Sequence, residues 1–148
     1  MKKIHILKML TYKPYSASLL AFEGFILIVI GVYFVILRPS LLPEDYKYIE
    51  TTTVVIQENI PQLSVWLQKV FWVMGSYIFT SGVLTIYIAL TSFHNRLPGA
   101  FSIIVLTGIS SFGSMTFVNF MIGSDFRWIL LTFTLLWVIA LILYRFNQ

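Results

Sequence analysis

YSASLLAFEGFILIVIGVYFVIL, residues 15–37, runs from Tyr15 to Leu37 without a lysine or arginine and with one acid, Glu23. A hydrocarbon core about 30 Å thick needs about 20 helical residues rising about 1.5 Å each, and this stretch supplies them. Three more runs of the same kind follow at 70–90, 99–122 and 126–144. Barrel strands alternate polar and apolar residues over about ten positions. These runs are continuously apolar, so they read as helices. The expected fold is an all-α integral membrane protein, a four-transmembrane-helix up-down antiparallel bundle. It forms one domain over residues 1–148, with an extracytoplasmic loop at 38–69 that contains a short amphipathic helix.

Composition agrees. Of the 148 residues 58% are apolar and only 11% charged, against about 25% charged in soluble domains, and mean hydropathy is +0.86. Lys2 and Lys3 precede the first run as they would in a secretory signal. That run is too long, has no small-x-small cleavage site and finishes in Arg38-Pro39, so it reads as a retained span. The absence of cysteine excludes disulfides and thiol redox chemistry.

Lys2, Lys3, Lys8, Lys13, Arg96 and Arg145 fall on one side of the bundle, and Arg38, Lys47, Lys69 and Arg127 on the other. The excess places both termini in the cytoplasm, in a plasma or inner membrane. The net charge of +4 then describes a rim facing anionic lipid, and no nucleic acid is expected as a partner. Residues 1–13 suit a short interfacial helix or an anchoring tail. Leu42, Tyr46, Ile49, Thr53, Ile56 and Ile60 are spaced as on one helix face, and Pro43-Glu44-Asp45 is a good helix start. The β-branched run 51–56 argues for a strand, but a lone strand would have no ladder partner, so helix is favoured. Pro61 is placed to open a helix that runs through Trp66 into the second span, and Ser124 to cap the fourth. Trp66, Trp72 and Trp128 suit the outer aromatic belt.

Small residues recur every seven positions: Ala17, Gly24 and Gly31; Gly75, Gly82 and Ala89; Ala100, Thr107 and Ser114. Seven residues nearly restore the same helix face, and close backbone approach drives helix pairing in lipid. The fourth span lacks such a seam and is expected to be the most lipid-exposed, or the one that meets a partner.

Glu23 is the outstanding polar residue, about 12 Å along the axis from Tyr15. Arg127 sits at the very edge of the fourth run and no basic residue inside a span can neutralise Glu23, so it is expected as a protonated acid unless water reaches it. Ser81, Thr85, Thr107 and Trp137 fall at matching depth, and Asn119 is expected to face the interior near Tyr33 or Met74. These six are the candidate ligand-binding residues. Glu44, Asp45, Asp125 and Arg127 form a candidate extracytoplasmic rim, although each also suits a helix first turn or a local ion pair. His5 and His94 have no acid nearby, and no phosphate loop, nucleophile elbow or HExxH motif is present. No metal, cofactor or catalytic residue is expected.

The function these residues suggest is non-enzymatic: binding of an apolar or lipid-like ligand in the bundle, or docking of a partner membrane protein. The loop would act as a lid and Glu23 as polar anchor. The alternative is a small homo-oligomeric, proton-coupled transporter or channel using Glu23. A third reading is a membrane-surface hydrolase using the outer aspartates.

Overall fold

The computed structural model describes residues 15–146, and among them every regular element is a helix. Helix α1, Tyr15–Val32, continues through a π-helical turn at Tyr33–Leu37. Two short helices follow, α2 at Pro43–Tyr48 and α3 at Thr53–Asn59. Helix α4, Gln62–Ile88, also ends in a π turn, Ala89–Phe93. Helices α5, Ala100–Gly108, and α6, Ser114–Met121, are joined by a third π turn at Ile109–Gly113, and α7 spans Arg127–Phe146. Joined across their π turns, these make four helices long and apolar enough to cross a bilayer: Tyr15–Leu37, Gln62–Phe93, Ala100–Met121 and Arg127–Phe146. We call them spans 1 to 4. The interfacial helix expected at 1–13 lies outside the described residues.

Span 2 begins at Gln62, so the Pro61 start and the second hydrophobic run are one continuous helix. Its outward side is apolar: Val73, Tyr77, Leu84 and Tyr87 are all more than half exposed. Water would penalise such a surface, whereas lipid does not.

Spans 1 and 2 lock along the seven-residue seams. Gly24 lies against Gly82 and Ile86, and Gly31 against Gly75 and Phe79. A Cβ on Gly82 would stand 2.6 Å from the Gly24 carbonyl oxygen and 2.7 Å from the Ile28 amide nitrogen. These glycines are required because backbone meets backbone there. Ala17 and Ala89, the next members of the two seams, are buried as well.

The third seam does not pack as the spacing suggests. Ala100 is buried, but Thr107 is partly open and Ser114 exposed. Span 3 instead buries Ala100, Ile104, Gly108, Phe112 and Thr116. This face recurs every four residues, and the wider π turn at Ile109–Gly113 keeps Phe112 and Thr116 on it, where a straight helix would carry them off. Gly108 on this face receives the indole of Trp137 from span 4, whose Nε1 donates to the Ile104 carbonyl at 3.2 Å. Thr116 and Thr134 share a hydrogen bond of 2.7 Å farther along the same interface.

Span 4 is therefore not the outlying helix. It packs against both span 1 and span 3, burying Leu130, Trp137, Ala140 and Tyr144. Large side chains can make that contact because Gly108 leaves room for the largest of them. Spans 2 and 3 touch only sparsely. The resulting order around the bundle is 2, 1, 4, 3, with a gap between 3 and 2.

The loop segment also departs from a single amphipathic helix. The chain breaks between α2 and α3, where Glu50 takes φ 52°. Thr52 restarts it, its hydroxyl accepting the Val55 amide at 3.4 Å, and the β-branched residues 53–56 become helical. The segment straps the bundle's end at two points. Arg38 is almost fully buried, its guanidinium 3.6 Å from the Phe71 ring centroid and donating to Asp45 Oδ2 at 3.2 Å. Glu44 reaches across to span 4, accepting the Ser124 hydroxyl at 3.0 Å and the Asp125 amide at 2.9 Å. It thus supplies a helix N-terminus with the carboxylate that such an end favours. At the opposite end Tyr144 stacks on Phe93 with centroids 4.2 Å apart, and Arg96 donates to the Tyr144 carbonyl at 3.1 Å.

Candidate functional site

The gap between spans 2 and 3 is a cleft of about 720 Å³, within the range of about 300–1,000 Å³ common for ligand pockets. Its walls are Val70, Val73, Met74, Tyr77, Ile78 and Ser81 of span 2 and Thr107, Ser110, Ser111 and Met115 of span 3. Leu27 of span 1 forms the floor, and Lys69 stands at the loop end. The cleft opens sideways, since Tyr77 is 72% and Val73 58% exposed. A second hollow of about 450 Å³ adjoins it through Met74, Ile78 and Met115 and reaches Tyr33, Arg38, Glu44, Asp45 and Asn119 under the strap.

The serine and threonine hydroxyls in the wall satisfy themselves. Ser81 donates to the Tyr77 carbonyl at 2.9 Å, Thr107 to Ile103 at 2.9 Å, Ser110 to Leu106 at 2.9 Å and Ser111 to Thr107 at 2.6 Å. Such back-bonded side chains present little unmet polarity, so the cleft accepts an apolar chain. Lys69 differs. Its ammonium sits 3.8 Å from the Trp72 ring centroid, and among the described residues it has no carboxylate partner.

The ten candidate residues do not form one site. Ser81 and Thr107 line the cleft; Asn119 lines the adjoining hollow beside Tyr33 and Met74, its amide donating to the Met115 carbonyl at 2.8 Å. Trp137 is buried in the interface of spans 3 and 4. Glu23 and Thr85 are fully buried on spans 1 and 2 and line neither hollow. Glu44 and Asp45 anchor the strap, Asp125 offers its amide to Glu44, and Arg127 donates to the Gly123 carbonyl at 2.7 Å. Lys69 and Leu27 were not singled out from sequence. Lysine beside tryptophan at a span's end reads as ordinary snorkelling, and leucine carries no signal in an apolar run.

What fold and surface define is a class: a helical bundle whose four long apolar helices are compatible with a multi-pass integral membrane protein. Comparison with family models, with curated proteins and with solved structures finds no match.

Proposed function

We propose that this chain binds a lipid-like amphiphile, non-enzymatically, with the tail in the cleft between spans 2 and 3 and an anionic headgroup at Lys69. The observation that carries the reading is the cleft itself: apolar, open sideways, and closed at the loop end by a cation that has no carboxylate partner among the described residues. A sideways opening between membrane helices receives lipid directly, and a cation near the membrane surface attracts an anionic headgroup. The engagement of Glu44 and Asp45 in holding the strap supports an anchoring role for these acids over a hydrolytic one.

The test uses delipidated protein in detergent with dioleoyl phosphatidylglycerol as the probe. Native mass spectrometry is expected to show one lipid retained per chain. Ser111→Phe, which fills the cleft, should reduce retention at least severalfold, and Lys69→Gln should remove the preference over phosphatidylcholine. Equal retention by wild type and Ser111→Phe would place the lipid elsewhere and overturn the proposal.

The same reading takes the bundle as up-down and antiparallel, with both termini cytoplasmic. The opposed order of the Gly24–Gly82 and Gly31–Gly75 contacts supports the first point. The excess of lysine and arginine on the side of the termini, six against four, supports the second. Single cysteines introduced as Glu50→Cys and His94→Cys are both expected to be exposed, on opposite sides. An impermeant thiol reagent on intact cells should label only the first. Equal labelling would reverse or dismantle the topology.

A further inference from the structure

Among the described residues, three buried side-chain oxygens make no hydrogen bond: Oε1 and Oε2 of Glu23 and Oγ1 of Thr85. Both residues are almost completely shielded, at 0% and 1% exposure. They stand at one level of the span 1–span 2 pair, because Gly24, next to Glu23, packs against Gly82 and Ile86, and Ile86 follows Thr85. Threonine in a membrane helix ordinarily donates to the carbonyl four residues back, as Thr80, Thr91 and Thr107 do. Thr85 forgoes that bond at the one level where a carboxyl group lies in the facing helix.

The place is tied to the cleft by helix geometry. Leu27 is one turn from Glu23 and Ser81 one turn from Thr85, and both line the cleft. Because the two helices run in opposite directions, both lie on the loop side of the buried pair. The bottom of the cleft is thus about 6 Å above the pair, a single turn at about 1.5 Å per residue. Leu27 is the apolar plug between them.

We propose that Glu23 and Thr85 form a proton-binding site at the centre of the bundle, entered from the bottom of the cleft past Leu27. The carboxylate takes a proton from water as it becomes the acid and returns it to water on release, with the Thr85 hydroxyl as its polar neighbour. Three side-chain oxygens are too few for a sodium ion, which needs a fuller oxygen shell, but enough for a proton. Within the described residues no other charge lies at this level. Among the titratable and charged groups that the packed elements bring, span 2 carries Lys69 at its loop end and Tyr77 and Tyr87, both exposed. Span 4 carries Tyr144, stacked on Phe93, with Arg127 and Arg145 at its two ends. The site stands on the burial of Glu23 and Thr85 and not on the lipid reading of the cleft.

A carbodiimide tests it, because the reagent takes the proton and oxygen of a carboxylic acid across its C=N bond and remains as an adduct. With the full chain in liposomes, dicyclohexylcarbodiimide is expected to give one adduct, mapped to Glu23, at a rate that falls as pH is raised. Glu23→Gln should lose it. Leu27→Ala should speed reaction of Glu23 with a water-soluble carbodiimide severalfold by thinning the plug. Sodium chloride should change neither rate. Absence of the Glu23 adduct at every pH, or a rate indifferent to pH, would overturn the proposal. Protection by sodium would overturn it in favour of a sodium site.

Discussion

Gly82→Leu is expected to separate spans 1 and 2, lowering stability by about 3 kcal/mol. The first added atom, Cβ, would meet the Gly24 carbonyl oxygen at 2.6 Å, the Ile28 amide nitrogen at 2.7 Å and Ile28 Cγ1 at 2.8 Å. The oxygen and nitrogen belong to the backbone of a helix, so no rotamer change relieves them and the helices must move apart. That motion also loosens Gly24 against Ile86 and Gly31 against Phe79, which lie on the same seam. In lipid, where burial of apolar surface gives little drive, lost close contact has no substitute. Ile139→Leu, on a partly exposed face of span 4, conserves volume and should stay within about 0.5 kcal/mol of wild type. Thermal melting in detergent compares the two. Coincident melting curves would mean that the glycine seam does not hold the pair together.

That seam was legible in the sequence because it depends on the absence of side chains, and glycine at a seven-residue interval states the absence directly. The four spans were legible for a related reason: a bilayer leaves the backbone no partners but its own, so hydropathy alone selects helices. Span 3 misled because its buried residues recur every four positions and not every seven, a spacing held on one face by a wider turn. The π turn at Ile109–Gly113 adds a residue to one turn, and no proline marks the place. The broken loop helix was hidden similarly, since Glu50 takes its positive φ without being a glycine. Neighbour order was hidden most deeply, because it turns on matches between residues in different spans, such as the Trp137 indole against Gly108.

The candidate site was legible in its chemistry and not in its grouping. Glu23 declared itself as an acid in an apolar run, and depth counting brought Thr85 to its level. The same counting placed Ser81, Thr107 and Trp137 there, and the structure distributes them among the cleft wall and another interface. Depth is one coordinate, and the helix face is the other. The face could not be read where a neighbour was unknown. The strap shows the same limit: Glu44 caps span 4 from 80 residues away, while local reading assigned it to its own short helix.

Glu23→Met is expected to act in the opposite direction from Gly82→Leu and to stabilise the fold. Methionine is unbranched and adaptable, so it can occupy the Glu23 position with little repacking. It removes a carboxyl group whose two oxygens are buried without a hydrogen bond, a condition that costs about 1–3 kcal/mol per group. The melting temperature in detergent should rise accordingly. A fall would show that Glu23 supports the helix pair by contacts of its own. Thr85→Val is the natural second change, since it is nearly isosteric and removes the third unpartnered oxygen. If the two groups interact across the seam, each single variant leaves the other buried in a less polar surrounding and recovers only part of the gain. The double variant should then exceed the sum of the singles by at least about 0.5 kcal/mol, the threshold at which coupling is distinguishable from additivity. Simple additivity would make them two separate costs that happen to lie at one level. Coupling would mean that the chain holds a polar pair in its most tightly packed seam at the expense of stability, as proteins do where a site needs chemistry that packing alone would remove.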